Sequence, residues 1–263
     1  MVIDFVKTSP SQNTTVLVTS FCPPKRYVEI AKKVMEHEYL CAEQVGFIIP
    51  PKNAESVVGL EMAGGEFCGN ASLSAAAYAK YKGYCDNVEF NIDVSGAEHP
   101  LKCCVTPKTS FVYRAKCEMP QPISLREFTA KIRGRDLTGT IIEFEGISHF
   151  VFEQWPELTL FDDVLELLKD KIMAKAIGII PYRKLGELEY EIKPYVYVRD
   201  TNTTVFEKGC GSGSLALGLH LKNEITEEIK VRQPGGIIYV ETGDTNYIST
   251  DVRFICEGSV FID

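Results

Sequence analysis

One six-residue pattern occurs twice in this chain of 263 residues, as Cys68-Gly69-Asn70-Ala71-Ser72-Leu73 and as Cys210-Gly211-Ser212-Gly213-Ser214-Leu215. Both copies read C-G-x-x-S-L, and 142 residues separate position 68 from position 210. Each opens an uncharged run of small and apolar residues, 71–79 and 215–219, of the kind that suits a helix buried on nearly all sides. The repeat therefore calls for two similar halves, each with such a helix and a cysteine at its start. Unpaired amides and the positive end of the helix dipole favour a thiolate there and lower the thiol pKa from about 8.5. The amides of Gly69 and Asn70, and of Gly211, Ser212 and Gly213, make anion sites, and glycine lets a carboxylate come close. Two thiols around one carboxylate-bearing carbon can move a proton from one face of that carbon to the other. A single Cys-Gly pair would read as a buried, inert cysteine. The in-register repeat is what favours paired catalytic thiols, Cys68 and Cys210.

Composition narrows the alternatives. A net charge of −8 argues against a nucleic-acid or anionic-membrane surface. No apolar run approaches the roughly 20 residues that cross a bilayer. The nine cysteines are odd in number and scattered, with no C-x-x-C pair and no Cys/His ligand spacing, so neither a disulfide framework nor a metal site is expected. Their abundance, with no signal-peptide pattern at the start, points to a reducing cytoplasm. Cys22, Cys41, Cys85, Cys103, Cys104, Cys117 and Cys256 read as small core residues. His149 reads as a hydrogen-bonded structural residue on a strand and His220 as packing.

Periodicity and turn signals place strands at 3–6, 14–20 and 43–49, and an amphipathic outer helix after Pro23-Pro24 carries Val28, Ala31, Val34 and Met35 on one face. The buried helix after Cys68 runs to about Tyr81 and stops at Lys82-Gly83. Strands at 88–94, 101–106 and 110–118 follow, and Pro120-Gln121-Pro122 is the expected linker. Beyond it come a hairpin of 138–144 with 148–152, a second amphipathic helix at 160–177, strands at 189–198 and 203–207 that deliver Cys210, and strands at 228–232, 236–242 and 252–261. The fold expected is α+β, with two pseudo-symmetric domains, each a curled, mostly antiparallel, barrel-like sheet around a central helix. Short side chains such as Ala75, Ala76, Ala77 and Ala216 fit a helix inside a closed sheet. The domains are 1–119, to which the last strand at 252–263 returns, and 123–251.

The segments Phe67-Cys68-Gly69-Asn70-Ala71-Ser72 and Gly209-Cys210-Gly211-Ser212-Gly213-Ser214 resemble the two cysteine motifs of the diaminopimelate epimerase family of cofactor-independent racemases and epimerases. The resemblance covers the whole chain in motif order. It implies a diaminopimelate epimerase-like fold with the active site in a cleft between the halves, Cys68 and Cys210 as the two bases, no cofactor and no metal. It also places Asn13, Glu43, Gln44 and Asn70 at substrate-contacting positions. Departures bear on the substrate. The family's epimerases carry Glu-Arg-Gly-x-Gly-Glu-Thr before the second cysteine and Gly-Asn-Pro-His in the second half, where this chain has 201–209 without arginine and Gly146-Ile147-Ser148-His149. Losing a bidentate carboxylate clamp disfavours a substrate with a second carboxylate. The stretches N-T-T-V-L-V, A-E-Q-V-G-F-I-I and G-G-E-F-C-G-N-A are similar to the family's histidine racemases instead.

The resemblance thus implies a pyridoxal-phosphate-independent racemase that interconverts L- and D-histidine by a two-base mechanism. Diaminopimelate epimerisation stands as the alternative, and so does a thiol redox protein, against which the missing C-x-x-C counts. Glu43, Glu66 and Glu207 are all open as acceptors for the substrate ammonium or imidazole. Partners reduce to a small amino-acid substrate, with no nucleic acid and no membrane, and a homodimer is left open.

Overall fold

The structure, a computed structural model, describes residues 1–154, 159–222, 225 and 227–263. In chain order the first elements are β1 (Val2–Pro10), β2 (Thr15–Val18), α1 (Tyr27–Met35), β3 (Gln44–Ile49), β4 (Ser56–Met62), α2 (Gly69–Tyr81), β5 (Glu89–Val94), β6 (Leu101–Thr109) and β7 (Val112–Met119). There follow β8 (Ser124–Ile132), β9 (Arg135–Glu143), β10 (Ile147–Glu153), α3 (Thr159–Lys169), β11 (Ala176–Lys184), β12 (Glu189–Ile192), β13 (Tyr195–Val198), β14 (Thr203–Phe206), α4 (Gly211–Leu221), β15 (Ile229–Gln233), β16 (Gly236–Glu241) and β17 (Asn246–Phe261). The chain divides into two compact units, Met1–Met119 with Ser249–Asp263, and Pro120–Ile248.

In the first unit the strands close into a ring. β1 pairs antiparallel with β2, β2 parallel with β3, β3 antiparallel with β4, β4 parallel with β5, β5 antiparallel with β6 and β6 antiparallel with β7. β17 then pairs with both β7 and β1, with Val2 opposite Phe261. Inside the ring α2 touches every strand from β1 to β7. All of Gly69 to Ala79 is buried, and Ala75, Ala76, Ala77 and Ala79 are fully so. Only short side chains fit so close to a surrounding sheet, and adding methylenes at such a position costs about 1–3 kcal/mol. Past its last turn the helix stops at Gly83, whose φ of 69° a side chain would oppose. α1 packs outside the ring, with Tyr27, Ile30, Ala31 and Val34 against Val16, Val45 and Phe47.

The second unit repeats this order of steps. β9 pairs antiparallel with β10, β10 parallel with β11 across α3, β11 antiparallel with β12, β12 parallel with β15 across α4, and β15 antiparallel with β16. Here α4 is the inner helix, touching β9, β10, β11 and β16. α3 is the outer one, with Phe161, Val164, Leu165 and Leu168 in an apolar cluster with Phe150, Phe152 and Ile177. The serine common to both six-residue patterns has the same place in each unit. Ser72 Oγ donates to Cys68 O at 2.8 Å and Ser214 Oγ donates to Cys210 O at 2.7 Å, so each ties the first turn back onto its cysteine.

Four sequence expectations need correction. Val28 and Met35 do not share the packed face of α1 with Ala31 and Val34: both are exposed, and Tyr27 and Ile30 take that face. The helix expected over 160–177 stops at Lys169, and residues from Ala176 form β11 instead. The Arg199 guanidinium donates to the carbonyls of Lys169, Ile172 and Ala174 and satisfies the chain just past that helix, a long-range partner that periodicity does not display. β8 had no counterpart in the reading of the sequence. Among the seven cysteines taken as core, Cys22, Cys103 and Cys117 are buried, but Cys41 and Cys256 are exposed, one in a loop residue with φ of 47° and the other in the exposed stretch of β17.

Candidate active site

Both repeated cysteines are N-cap residues, Cys68 of α2 and Cys210 of α4, each in extended conformation. In both, the first helical bond returns to the cysteine carbonyl, from Ser72 N at 2.9 Å and from Ser214 N at 3.0 Å. The amides of Gly69, Asn70 and Ala71, and of Gly211, Ser212 and Gly213, therefore precede the intrahelical ladder and stand at the positive helix end. Such amides can receive a carboxylate.

The two sulfurs have different surroundings. Cys68 Sγ caps none of its first-turn amides and donates to Gln44 Oε1 at 2.6 Å. Gln44 opens β3 and is held by its other end, where Nε2 donates to Asn13 Oδ1 and, at 3.0 Å, to Thr15 Oγ1. Asn13 is buried and is presented by a tight turn in which Asn13 N donates to Pro10 O at 2.9 Å. The two central residues of that turn, Ser11 and Gln12, have φ of 47° and 56°, left-handed values that glycine or asparagine would hold with less strain. Ser11 Oγ is fixed against Thr250 Oγ1 at 2.7 Å.

Cys210 Sγ folds back over its helix and accepts from Gly213 N at 3.3 Å. A Cβ on Gly213 would lie 3.0 Å from that sulfur and 2.8 Å from Ile180 Cδ1, so glycine is what allows the approach. Ser212 Oγ lies 3.7 Å from the same sulfur and 2.9 Å from His149 Nε2. His149 is fully buried, and Nδ1 has no hydrogen-bond partner among the described residues. A buried N–H without an acceptor costs more than an idle lone pair, so the ring proton belongs on Nε2 and is donated to Ser212. The Ser212 hydroxyl is then available to donate toward the sulfur. Burial holds the His149 pKa down to about 3, so the ring is neutral. The Cys210 amide donates to Gln233 Oε1 at 2.6 Å, and Gln233 Nε2 donates to Ser214 Oγ at 2.8 Å.

The expectation of a thiol pKa lowered by the helix end fails at Cys210. Burial pushes this thiol well above its ordinary range, and the charge and hydrogen bond of Glu207 add to that; the Gly213 amide and Ser212 pull the other way without prevailing. Desolvation of the anion outweighs two donors. Of the three carboxylates left open by the sequence, Glu207 is the one that adjoins a catalytic candidate. Glu43 is exposed and its Oε2 accepts from Thr14 N at 2.8 Å, which ties β3 to the Asn13 turn. Glu66 is exposed. Sequence reasoning had no signal for Gln233, 23 residues beyond Cys210, or for a tie from His149 to Ser212. In summed placement, Asn13, Gln44, Gly69 and Asn70 gather with Cys68 in the first unit, and Gly211, Ser212 and Gly213 with Cys210 in the second.

A family model described as "Histidine racemase CntK N-terminal domain" matches residues 2–262. A histidine racemase of Fusobacterium nucleatum subsp. nucleatum is 34% identical over 271 residues, covering 99% of this chain and 98% of the relative. A histidine racemase of Staphylococcus aureus is 26% identical over 273 residues, covering 100% of this chain and 98% of the relative. Among solved structures, a hydroxyproline epimerase from Agrobacterium vitis, with bound trans-4-OH-L-proline, superposes with a TM-score of 0.69 at 10% identity, over 98% of this chain and 92% of that one. A Bacillus anthracis phenazine biosynthesis protein of the PhzF family gives 0.67 at 13% identity, over 100% and 99%. These last two show a shared fold. The chain belongs to the histidine racemase family, and with it to the isomerases.

Proposed function

We propose that this protein interconverts L- and D-histidine without a cofactor, and that Cys68 and Cys210 are the two bases. The observation that carries this reading is the pair of cysteines, each the N-cap of the inner helix of its unit, in a chain of the histidine racemase family. One thiolate removes the α-proton and becomes a thiol. The other thiol delivers its proton to the opposite face and becomes the thiolate, so each turnover exchanges the roles of the two sulfurs. An α-proton of an amino acid is a very weak acid. A thiol with a raised pKa suits the task, because its conjugate base is correspondingly strong. The amides that start α2 and α4 stabilise the carboxylate as charge spreads from the carbanion. On the Cys210 side the His149 and Ser212 donors complement the developing thiolate, and Glu207 is positioned to take the thiol proton.

The missing arginine disfavours diaminopimelate, whose distal carboxylate would need a partner. The mechanism requires thiols, and a reducing cytoplasm suits them; none of the nine cysteines is joined in a disulfide. The test is incubation of single L-amino acids in deuterated water, with histidine, diaminopimelate, glutamate and proline as the panel. Histidine should gain deuterium at Cα and lose optical activity, and Cys68→Ala and Cys210→Ala should each abolish racemisation. Racemisation persisting in either variant would refute the two-base reading, and faster exchange with diaminopimelate would refute the substrate.

A further inference from the structure

We propose that Gln44 is a positioning residue for Cys68, holding that sulfur as a protonated thiol turned away from its own helix. The inference rests on the reading of Cys68 as a base and adds what governs it. A side-chain amide has two N–H donors and one acceptor oxygen. Both donors of Gln44 are used, on Asn13 Oδ1 and Thr15 Oγ1, which leaves the carbonyl oxygen aimed at Cys68 Sγ. That amide has no N–H left for a substrate, although the sequence placed Gln44 among the substrate contacts. An acceptor facing a sulfur favours S–H over S⁻, since a thiolate and a carbonyl oxygen repel.

The other half of the device is Ala71. It occupies the place in α2 that Gly213 occupies in α4, and a Cβ there would stand about as close to a folded-back sulfur as the 3.0 Å found for Gly213. The route onto the first-turn amide is thus obstructed in α2, and the Cys68 sulfur turns to Gln44. The orientation of Gln44 depends in turn on Asn13, which the left-handed Ser11-Gln12 turn delivers. Strain of that kind persists where the surrounding structure fixes it.

The experiment is the pH dependence of iodoacetamide alkylation of Cys68 in the full chain without substrate, resolved by peptide mass spectrometry with Cys210 read in parallel. Gln44→Ala removes the acceptor, and near neutral pH Cys68 should alkylate about threefold to tenfold faster, with its midpoint moved down. Gln44→Glu gives up the donors to Asn13 and Thr15 but is isosteric and sets a charged, stronger acceptor against the sulfur, so Cys68 should alkylate slower by a similar factor, with its midpoint moved up. Cys210 should be unchanged in both. A merely structural Gln44 would not move the midpoint in opposite directions for the two variants. A midpoint that does not fall in Gln44→Ala, or does not rise in Gln44→Glu, with the rate near neutral pH within about twofold of the parent, would overturn the proposal. The reading of Cys68 as a base fails separately, through racemisation that survives Cys68→Ala, and alkylation does not depend on that outcome.

Discussion

The turns that begin α2 and α4 share a cysteine, a following glycine and a back-bonding serine, yet their sulfurs are held by different chemistry. Cys68 faces a neutral amide whose other end is anchored in a strained turn. Cys210 lies over its own helix amide, with a carboxylate, a hydroxyl and a neutral imidazole around it. The single change from Ala71 to Gly213 accounts for much of this, because a methyl group at the third position decides whether the sulfur can lie back. A duplicated frame has therefore kept the helix end and diversified the partner. On the proposed two-base mechanism, unequal partners set which sulfur waits with its proton.

The largest expected effect breaks the Cys210 arrangement directly. Gly213→Ala should lower kcat for histidine by about a hundredfold, the size seen when one preorganised donor is lost, while Ala71→Gly leaves kcat within about threefold. Steady-state polarimetry on both variants checks this, and equal losses would erase the distinction between the turns. Next, Glu207→Gln removes a charge that raises the Cys210 thiol, so the Cys210 alkylation midpoint should fall with Cys68 unmoved, and kcat should drop about tenfold.

A smaller effect concerns His149. Its folded pKa of about 3 lies below the ~6.5 of a free histidine, so between those values the unfolded chain holds a proton that the folded one does not. Stability should therefore fall as pH drops through that window, by up to about 1.4 kcal/mol per pH unit, and His149→Gln should remove that part of the slope in urea titrations. The smallest concerns the turn. Gln12→Gly relieves a left-handed, exposed residue and should stabilise the protein by about 0.5–1 kcal/mol in the same titration, with kcat unchanged.

Much of the frame was legible because it is written in local patterns. The uncharged alanine run declared a helix enclosed by sheet, and the strand-like segments 138–144 and 148–152 declared the β9–β10 hairpin. The end of α3 was not legible, since Arg199 supplies its carbonyl partners from 30 residues away along the chain. Within the site, the cysteines announced their helix starts through repetition. What surrounds each sulfur did not, because Gln44, Gln233 and His149 are ordinary polar residues in strands, and only the sheet register brings them to a helix end. The direction of the Cys210 shift was hidden for a related reason: a sequence shows the donors at a helix start but not how completely water is removed from it.

The position of β17 bears on how the protein is made. Its residues follow the whole Cys210 unit in the chain, yet they lie between β7 and β1 in the ring around α2, with the amide of Ile262 donating to the carbonyl of Met1. β1 must wait for β17, so the ring around α2 is completed only after the whole Cys210 unit has been made. Nascent chains stalled before residue 249 should leave α2 open to protease, and emergence of residues 249–263 should protect it.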